Sequence, residues 1–355
     1  MSGAIHSRER EMPGGKSMEI VRVDDAATWD GFVASTPGAA VCHRWGWRHV
    51  FDDVLGHECV YLAARDPGGS LLAVIPLVVV RSALFGRYVV SVPFLNYGGA
   101  VGRDDGRAAL VTAAVEETRR RRADLLELRG RGQESPGIPT VYRRVTVVLP
   151  LPQSADALFD GFPAKLRSQI RRPQKEGLTT RFGPDQIGPF YEVFARNMRD
   201  LGTPVLSRRF FEAIGRQFPE SADVGVVYAG SRPVAAGFGF RWAGEFEMTW
   251  ASSIREFNRS APNMLLYWAF IARAIEAGLT AFNFGRCTPG GGTHRFKRQW
   301  GAVDEPLPWG QWTSRGVSAT PEPVGPAFRA ATSVWSRLPL GFTRWVGPRL
   351  ARLLP

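Results

Sequence analysis

One order of predicted elements recurs along this chain, and it constrains the fold more than any other feature. Each half reads as helices, a run of strands, a further helix, and a strand that ends in Arg, with LLELRG at 125–130 answering AFNFGR at 281–286. The likeness is one of pattern and not of residue-by-residue repetition. It predicts a duplicated α/β (α+β) unit, in which each copy is a mixed sheet with flanking helices.

The length of 355 residues suits two such domains. Residues 1–17 carry charges and glycines without an apolar stretch, so they are predicted to be a disordered leader and not a signal peptide. We expect the domains to span residues 18–150 and 151–312. Residues 313–355 then form a basic amphipathic tail.

Several classes of protein are excluded by what the chain lacks. The longest apolar run, at 71–80, contains Pro76 and is too short to span a bilayer. Three scattered cysteines give no disulfide framework, which favours a reducing compartment. The His and Cys residues show no metal-ligand spacing, and no P-loop or nucleophile elbow occurs. We therefore predict a cytoplasmic protein without a metal or a tightly bound cofactor.

The net charge of +12 comes almost wholly from arginine, since only four of the 45 basic residues are lysines. Arginine favours phosphate or carboxylate partners, although a GC-rich genome explains the same bias. In the tail, arginines alternate with Trp335 and Trp345, a pattern that suits an anionic membrane surface. The tail thus predicts either a peripheral contact at the inner membrane face or a segment that folds back on the body.

Three stretches combine polar residues with turn signals. The first, VPFLNYGGA at 92–100, holds Asn96 and Tyr97, and the second, RNMRDLGTPV at 196–205, holds Arg199. The third, NFGRCTPGGGTHRFKRQWG at 283–301, is a strand end followed by a basic glycine-rich loop, a common place for a site; its candidates are Arg286, His294, Arg295 and Lys297. The alternatives are a plain turn with a buried tyrosine, a charged helix cap and a structural loop.

The segment RFKRQW is predicted to be extended. Side chains would then alternate, with Arg295, Lys297 and Gln299 facing a cleft. Phe296 and Trp300 would anchor the opposite face in the core.

These stretches resemble the FemAB-related proteins associated with the exosortase/PEP-CTERM system, which carry a BioF2-like acetyltransferase domain. The resemblance covers most of residues 20–310, and it rests on LGHECVYL, PLVVVRSALFG, VPFLNYGG, LELRG, RNMRDLGTPV, WASS, NRSAPNMLLYW, FNFGR and RFKRQWGA. The chain departs from the family pattern FDFGRST at Asn283 and Cys287. The resemblance implies tandem GNAT-like acyltransferase domains that act in envelope or exopolysaccharide pathways, with acyl-CoA or aminoacyl-tRNA as co-substrate.

Acyl transfer to an amine needs a donor that stabilises the oxyanion and a route for the amine proton. We assign Lys297 to the oxyanion or to a substrate phosphate, and His294 and Tyr97 to the proton. Substrate-binding roles go to Arg286, Arg199, Asn263, Asn96, Arg295 and Trp250. The acceptor is predicted to be a small molecule or a lipid- or nucleotide-linked amine, with tRNA as a further partner.

Two other functions stay open at this level. One is a non-catalytic scaffold that binds a polysaccharide or a nucleotide-linked intermediate, because a fold does not determine a function. The other is nucleic-acid binding, which rests on charge alone.

Overall fold

The computed structural model describes residues 18–82, 86–314 and 325–354. The predicted leader at 1–17 lies outside the described residues, as do residues 315–324 and 355 of the predicted tail. The strands are β1 (Glu19–Arg22), β2 (Glu58–Arg65), β3 (Leu71–Ser82), β4 (Gly86–Val90), β5 (Val101–Gly102), β6 (Leu125–Arg129), β7 (Thr140–Pro150), β8 (Leu178–Phe182), β9 (Ala222–Ala229), β10 (Arg232–Trp242), β11 (Glu245–Ser253), β12 (Ala281–Cys287) and β13 (Val303–Thr313).

The α-helices alternate with groups of these strands. They are α1 (Ala26–Ser35), α2 (Gly46–His49), α3 (Asp104–Arg120), α4 (Ala155–Gly161), α5 (Ala164–Lys175), α6 (Ile187–Asp200), α7 (Arg208–Gln217), α8 (Pro262–Glu276), α9 (Gly292–Arg298), α10 (Pro326–Trp335) and α11 (Leu340–Ala351). A π-helical turn, Val50–Val54, continues α2, and short 3-10 helices cover Val41–His43, Pro184–Gln186 and Arg255–Ser260.

The chain divides into two compact units. Among the described residues, unit 1 comprises 18–82, 86–142, 306–314 and 353–354, and unit 2 comprises 143–305 and 325–352.

Unit 1 is a mixed sheet covered by α3. Its strand order is β1-β2-β3-β4-β6-β13, with β5 paired to β3, and only β4 and β6 run parallel. Helix α3 starts with Asp104 and Asp105 and ends with Arg119 and Arg120, charges that favour its dipole. Its buried Leu110 and Ala114 pack in one core cluster with residues of the sheet.

Unit 2 has the strand order β7-β12-β11-β10-β9-β8, in which only β11 and β12 run parallel. Helix α8 buries its apolar face in one core cluster that includes Phe246, Phe270 and Phe282. A second set of aromatic rings joins α6 and α7 to β10, with Phe190 in edge-to-face contact with Phe211 and Phe238. The predicted mixed sheets with flanking helices are thus confirmed.

The same local arrangement occurs in each unit. A helix connects two parallel strands: α3 lies between β4 and β6, and α8 lies between β11 and β12. Each parallel pair is joined over three residue pairs, from Tyr88↔Leu125 in unit 1 and from Glu245↔Ala281 in unit 2.

Candidate functional site

In unit 2, the parallel strands β11 and β12 stop pairing with each other before either strand ends. Their pairing stops at Glu247↔Asn283, whereas β11 continues to Ser253 and β12 continues to Cys287. We call the gap between residues 248–253 and 284–287 the β11/β12 opening. It lies at the carboxyl ends of parallel strands joined by a helix, which is where ligands bind in α/β sheets.

A β-bulge shapes the β11 side of this opening. The register against β10 shifts between Phe238↔Trp250 and Gly239↔Met248, which leaves Thr249 as the additional residue. The bulge turns Trp250 toward the α6/α7 side of the sheet, where its ring lies 5.3 Å from Phe211 and 5.8 Å from Phe238. Trp250 stays half-buried. A bulge beside a gap re-aims side chains at that place.

A second bulge shapes the β12 side. The register against β7 shifts between Asn283 and Arg286, and Gly285 adopts a φ of 73°. Asn283 is fully buried and its Oδ1 accepts hydrogen bonds from Gly285 N at 2.8 Å and from the Thr146 hydroxyl at 2.6 Å. The amide of Asn283 also donates to Glu245 at 3.0 Å. Asn283, which departs from the family pattern, therefore holds the bulge in shape.

Lys297 reaches this bulge from α9. Its side chain is only 3% exposed, and Nζ donates to the carbonyl oxygens of Gly285 at 2.7 Å and Arg286 at 3.0 Å. An ammonium group has three N–H donors, and these two hydrogen bonds use two of them. Lys297 is therefore a rigidly held cation at the edge of the β11/β12 opening.

The electrostatics around Lys297 are those of a buried site with charges of both signs. The pKa of Lys297 is lowered to about 8, chiefly by burial; Cys287 and Glu247 act to raise this pKa, and the Arg286 guanidinium acts to lower it. Glu247 is 5% exposed and sits in the last parallel pair, opposite Asn283. Burial also raises the pKa of the Cys287 thiol. Glu247 is not among the site residues predicted from the sequence, where its signal is a second carboxylate in the apolar strand GEFEMTW.

The predicted extended conformation of RFKRQW is wrong, because the segment forms α9. Phe296 of α9 and Trp300 of the turn that follows it form one aromatic face, with ring centroids 6.3 Å apart, and the Phe296 ring lies tilted 5.0 Å from that of Tyr267 on α8. Lys297 lies next to this aromatic face instead of opposite to it, which explains why it is buried. Gln299 is exposed.

The other predicted residues of α9 form local contacts. His294 Nε2 lies 2.8 Å from Asp304 Oδ2, and Gly290 N donates to its Nδ1 at 3.1 Å. Arg295 is exposed and donates to the carbonyl of Gly290 at 2.7 Å. Both ring nitrogens of His294 are therefore engaged by neighbouring groups, and the carboxylate of Asp304 orients the ring.

The amino-terminal end of α8 faces the same end of the sheet. Ala261 adopts a left-handed φ of 50° just before Pro262, and half-buried Asn263 lies in the first turn. Across from it, Asn197 of α6 donates to Ser252 of β11 at 3.1 Å. Arg199, near the carboxyl end of α6, is bound to its neighbour Asp200 at 2.6 Å. Trp250, Asn263, Arg286 and Lys297 thus belong to elements that meet at one end of the sheet of unit 2.

The remaining predicted residues, Asn96 and Tyr97, belong to unit 1 and are buried. They follow β4 in a segment that hydrogen-bonds to β6. Ser91 N donates to the Glu127 carbonyl, and Gly98 N and Gly99 N donate to the Arg129 carbonyl at 2.9 and 3.0 Å. The Arg131 guanidinium lies 5.0 Å from the Tyr97 ring centroid.

Arg129 occupies the position in unit 1 that corresponds to the opening of unit 2. It is 4% exposed, and it donates to Glu127 Oε1 at 2.9 Å and to the carbonyls of Val92 and Leu95. The other oxygen of Glu127 accepts from Gln311 at 3.0 Å. In unit 1, the Arg129 side chain and the segment after β4 therefore occupy the place where the pairing of β4 and β6 ends.

Within residues 18–82, 86–314 and 325–354, no three His, Cys, Asp or Glu side chains gather as a metal-binding group. In the same residues, no helix is long and apolar enough to cross a membrane.

Comparison with known proteins places this geometry. No curated protein sequence matches the chain. Among solved structures, FemX is similar over 83% of this chain and 97% of its own, with 14% identity and a TM-score of 0.62. L-PGS from Bacillus licheniformis is 13% identical over 88% of this chain and 98% of its own, with a TM-score of 0.55.

A third similar structure is a tandem GNAT protein from the clavulanic acid biosynthesis pathway, which is 13% identical over 85% of this chain and all of its own, with a TM-score of 0.52. Residues 162–298, all within unit 2, match the Acetyltransferase (GNAT) domain family. The predicted tandem GNAT-type fold is therefore confirmed.

Proposed function

We propose that this protein is an acyltransferase that moves an acyl or aminoacyl group onto an amine, with the donor bound in the β11/β12 opening of unit 2. The observation that carries the proposal is the position of Lys297, a buried cation held by two carbonyls at the bulge where the parallel strands separate. Residues 162–298, which supply both strands and this lysine, match a GNAT acetyltransferase domain.

Charge and main-chain geometry both suit an acyl donor with anionic groups. Beyond Glu247↔Asn283 the two strands no longer pair with each other, so an extended substrate can pair with their main-chain groups. Arg286 lies close enough to Lys297 to lower its pKa, which means that two cations share this edge. Such a pair favours the phosphates of acyl-CoA or of aminoacyl-tRNA.

In the reaction, the neutral amine attacks the carbonyl carbon of the donor and forms a C–N bond. The free N–H of Lys297 stabilises the oxyanion of the tetrahedral intermediate. Glu247 accepts the amine proton, because it is a buried carboxylate that acts electrostatically on Lys297. The carbonyl–sulfur or carbonyl–oxygen bond of the donor then breaks, and the leaving group takes up a proton. His294, whose ring is oriented by Asp304, is a second candidate for transferring the amine proton.

The contrast between the units supports donor binding in unit 2. In unit 1, the Arg129–Glu127 ion pair and the segment 91–99 hydrogen-bond across the end of the parallel pair. A donor would have to displace a buried ion pair to bind there, which is costly. Asn96 and Tyr97 are buried in unit 1, and we assign them no part in donor binding.

The acceptor class comes from the family resemblance. It favours an amine in the cell envelope or in exopolysaccharide synthesis, linked to the exosortase/PEP-CTERM system, as a small molecule or a lipid- or nucleotide-linked intermediate. Arg199 and Arg295 are proposed to bind the anionic part of this acceptor.

A donor-binding experiment tests the proposal. Acetyl-CoA and aminoacyl-tRNA, each with a labelled acyl group, are titrated against the full-length protein and then offered a panel of amino-sugar nucleotides and amine-bearing lipid phosphates. We expect saturable binding of one donor and label transfer to an amine, both weakened by Lys297→Met and unaffected by Lys165→Met, since Lys165 is exposed. Binding of neither donor, with retained binding of a polysaccharide or nucleotide-linked intermediate, would overturn it in favour of a scaffold.

A further inference from the structure

The carboxyl-terminal helix α11 is held against unit 2 by one narrow face. Thr343, Gly347 and Ala351, each four residues apart, are buried. A Cβ on Gly347 would lie 3.0 Å from Val205, so the contact is close. The Arg344 guanidinium packs 5.2 Å from the ring of Tyr191 on α6. Helix α11, which belongs to the predicted tail, therefore packs on unit 2. This agrees with the prediction that the tail folds back on the rest of the protein.

The opposite face of α11 has an unusual composition for a face exposed to water. Trp345 is 63% exposed and Phe342 is 46% exposed, and their ring centroids are 6.3 Å apart. Arg349 and Arg352, exposed as well, continue the same stripe at helical spacing. The Arg349 guanidinium lies 4.7 Å from the Trp345 ring and donates to its carbonyl at 2.7 Å. One face thus presents two adjacent aromatic rings followed by two cations.

The positive charge of the carboxyl-terminal segment indicates which kind of partner binds this face. From residue 323 to the carboxyl terminus the sequence has five arginines and no Asp or Glu. A surface that combines tryptophan with arginine matches the interface of an anionic bilayer, in which rings lie at headgroup depth and cations contact phosphates. A second copy of the same face is a poor partner, because it would bring Arg349 and Arg352 against the same cations.

We propose that the Phe342–Trp345–Arg349–Arg352 face of α11 docks the protein onto an anionic lipid surface. Because Thr343, Gly347 and Ala351 fix the helix on unit 2, the face is held as a rigid platform and binds without a folding step. Pro348 and the anchored opposite face limit the insertion to the depth of the two rings.

The test is vesicle flotation of the full-length protein. Phosphatidylcholine vesicles are compared with vesicles that contain 30% phosphatidylglycerol, at 50 and 500 mM NaCl. We expect at least tenfold stronger binding to the anionic vesicles at low salt, and loss of most of that preference at high salt. Phe342→Ser/Trp345→Ser should weaken binding at least tenfold, and Arg349→Gln/Arg352→Gln should weaken it mainly at low salt. Val303→Ser, an exposed apolar residue on β13, serves as the matched control and should bind as the unaltered protein does.

A second readout does not depend on the serine variants. Trp345 should be quenched by brominated anionic lipids, and Trp345→Phe should remove that quenching while it keeps most of the binding. Equal flotation of the unaltered protein and the aromatic variant would overturn the proposal. A dimer in solution that Trp345→Ser dissociates would also overturn it, because the face would then be a contact between copies.

Discussion

The charge of Lys297 at the bulge of β12 leads to the sharpest prediction, and Lys297→Met is the change that tests it. Methionine keeps the length and the apolar stem but removes the cation. Holding a charge at a site that lowers the pKa from 10.5 to about 8 costs about 3 kcal/mol. The substitution removes that cost but leaves the carbonyls of Gly285 and Arg286 without their donor, at about 1–3 kcal/mol each. Because the two effects oppose each other, we expect the free energy of unfolding to change by no more than about 3 kcal/mol.

Turnover should respond far more than stability does. Loss of one oxyanion donor costs on the order of 3 kcal/mol, or about 100-fold in rate, and we expect at least a tenfold drop. Lys297→Arg should restore activity only in part, because its planar guanidinium does not match two carbonyls placed for a compact ammonium. Steady-state kinetics with the active donor, alongside urea unfolding, separate the two effects. Near-normal turnover by folded Lys297→Met would refute the reasoning.

The pH dependence adds a check with a definite sign. The folded pKa of about 8 lies below the unfolded value of 10.5, so the unfolded chain binds more protons between about pH 8 and 10.5. Stability should therefore rise with pH in that window, and Lys297→Met should abolish the rise. If the ammonium stabilises an oxyanion, turnover falls as the pH rises through about 8. A rise in turnover there, lost in Lys297→Met, would instead identify Lys297 as the base.

Three further predictions follow from buried contacts. Glu247→Gln should lower kcat at least tenfold with little change in donor affinity, measured by kinetics and calorimetry; an unchanged kcat would exclude Glu247 as the base. Arg129→Leu should destabilise the protein by about 3–5 kcal/mol, because it leaves Glu127 buried without its cation, and thermal unfolding of a protein with normal Tm would contradict this. Gly285→Ala should cost about 1–2 kcal/mol at a φ of 73° and reduce turnover, since the bulge presents its carbonyls to Lys297.

Much of the architecture could be predicted from local patterns. The charge gradient of α3 and the apolar composition of α8, with Pro262 at its start, are features of the sequence, and each helix connects the two strands of a parallel pair. The basic glycine-rich stretch at 283–301 was also identified as the main candidate site. It does supply Lys297 and Arg286, although whether they take part in catalysis remains a prediction.

The conformation of α9 shows where local patterns fail. Phe296 and Trp300 lie four residues apart, a spacing that puts them on one face of a strand as well as on one face of a helix. Periodicity alone cannot distinguish the two over so short a segment. The contact of Phe296 with Tyr267, a residue distant in sequence, decides for the helix and thereby buries Lys297.

The sequence by itself determined the element order, the two related α/β units and the residue types available for acyl transfer, because these depend on periodicity, capping and composition along the chain. Only the tertiary structure decided where the parallel pairs end and what occupies each end. Arg129 and Arg286 lie at the ends of two strands that follow the same sequence pattern. Arg129 nevertheless forms an ion pair inside unit 1, whereas Arg286 borders the β11/β12 opening of unit 2. Glu247 gained its candidate role in the same way. The difference depends on contacts between residues far apart in the chain, which no local pattern contains.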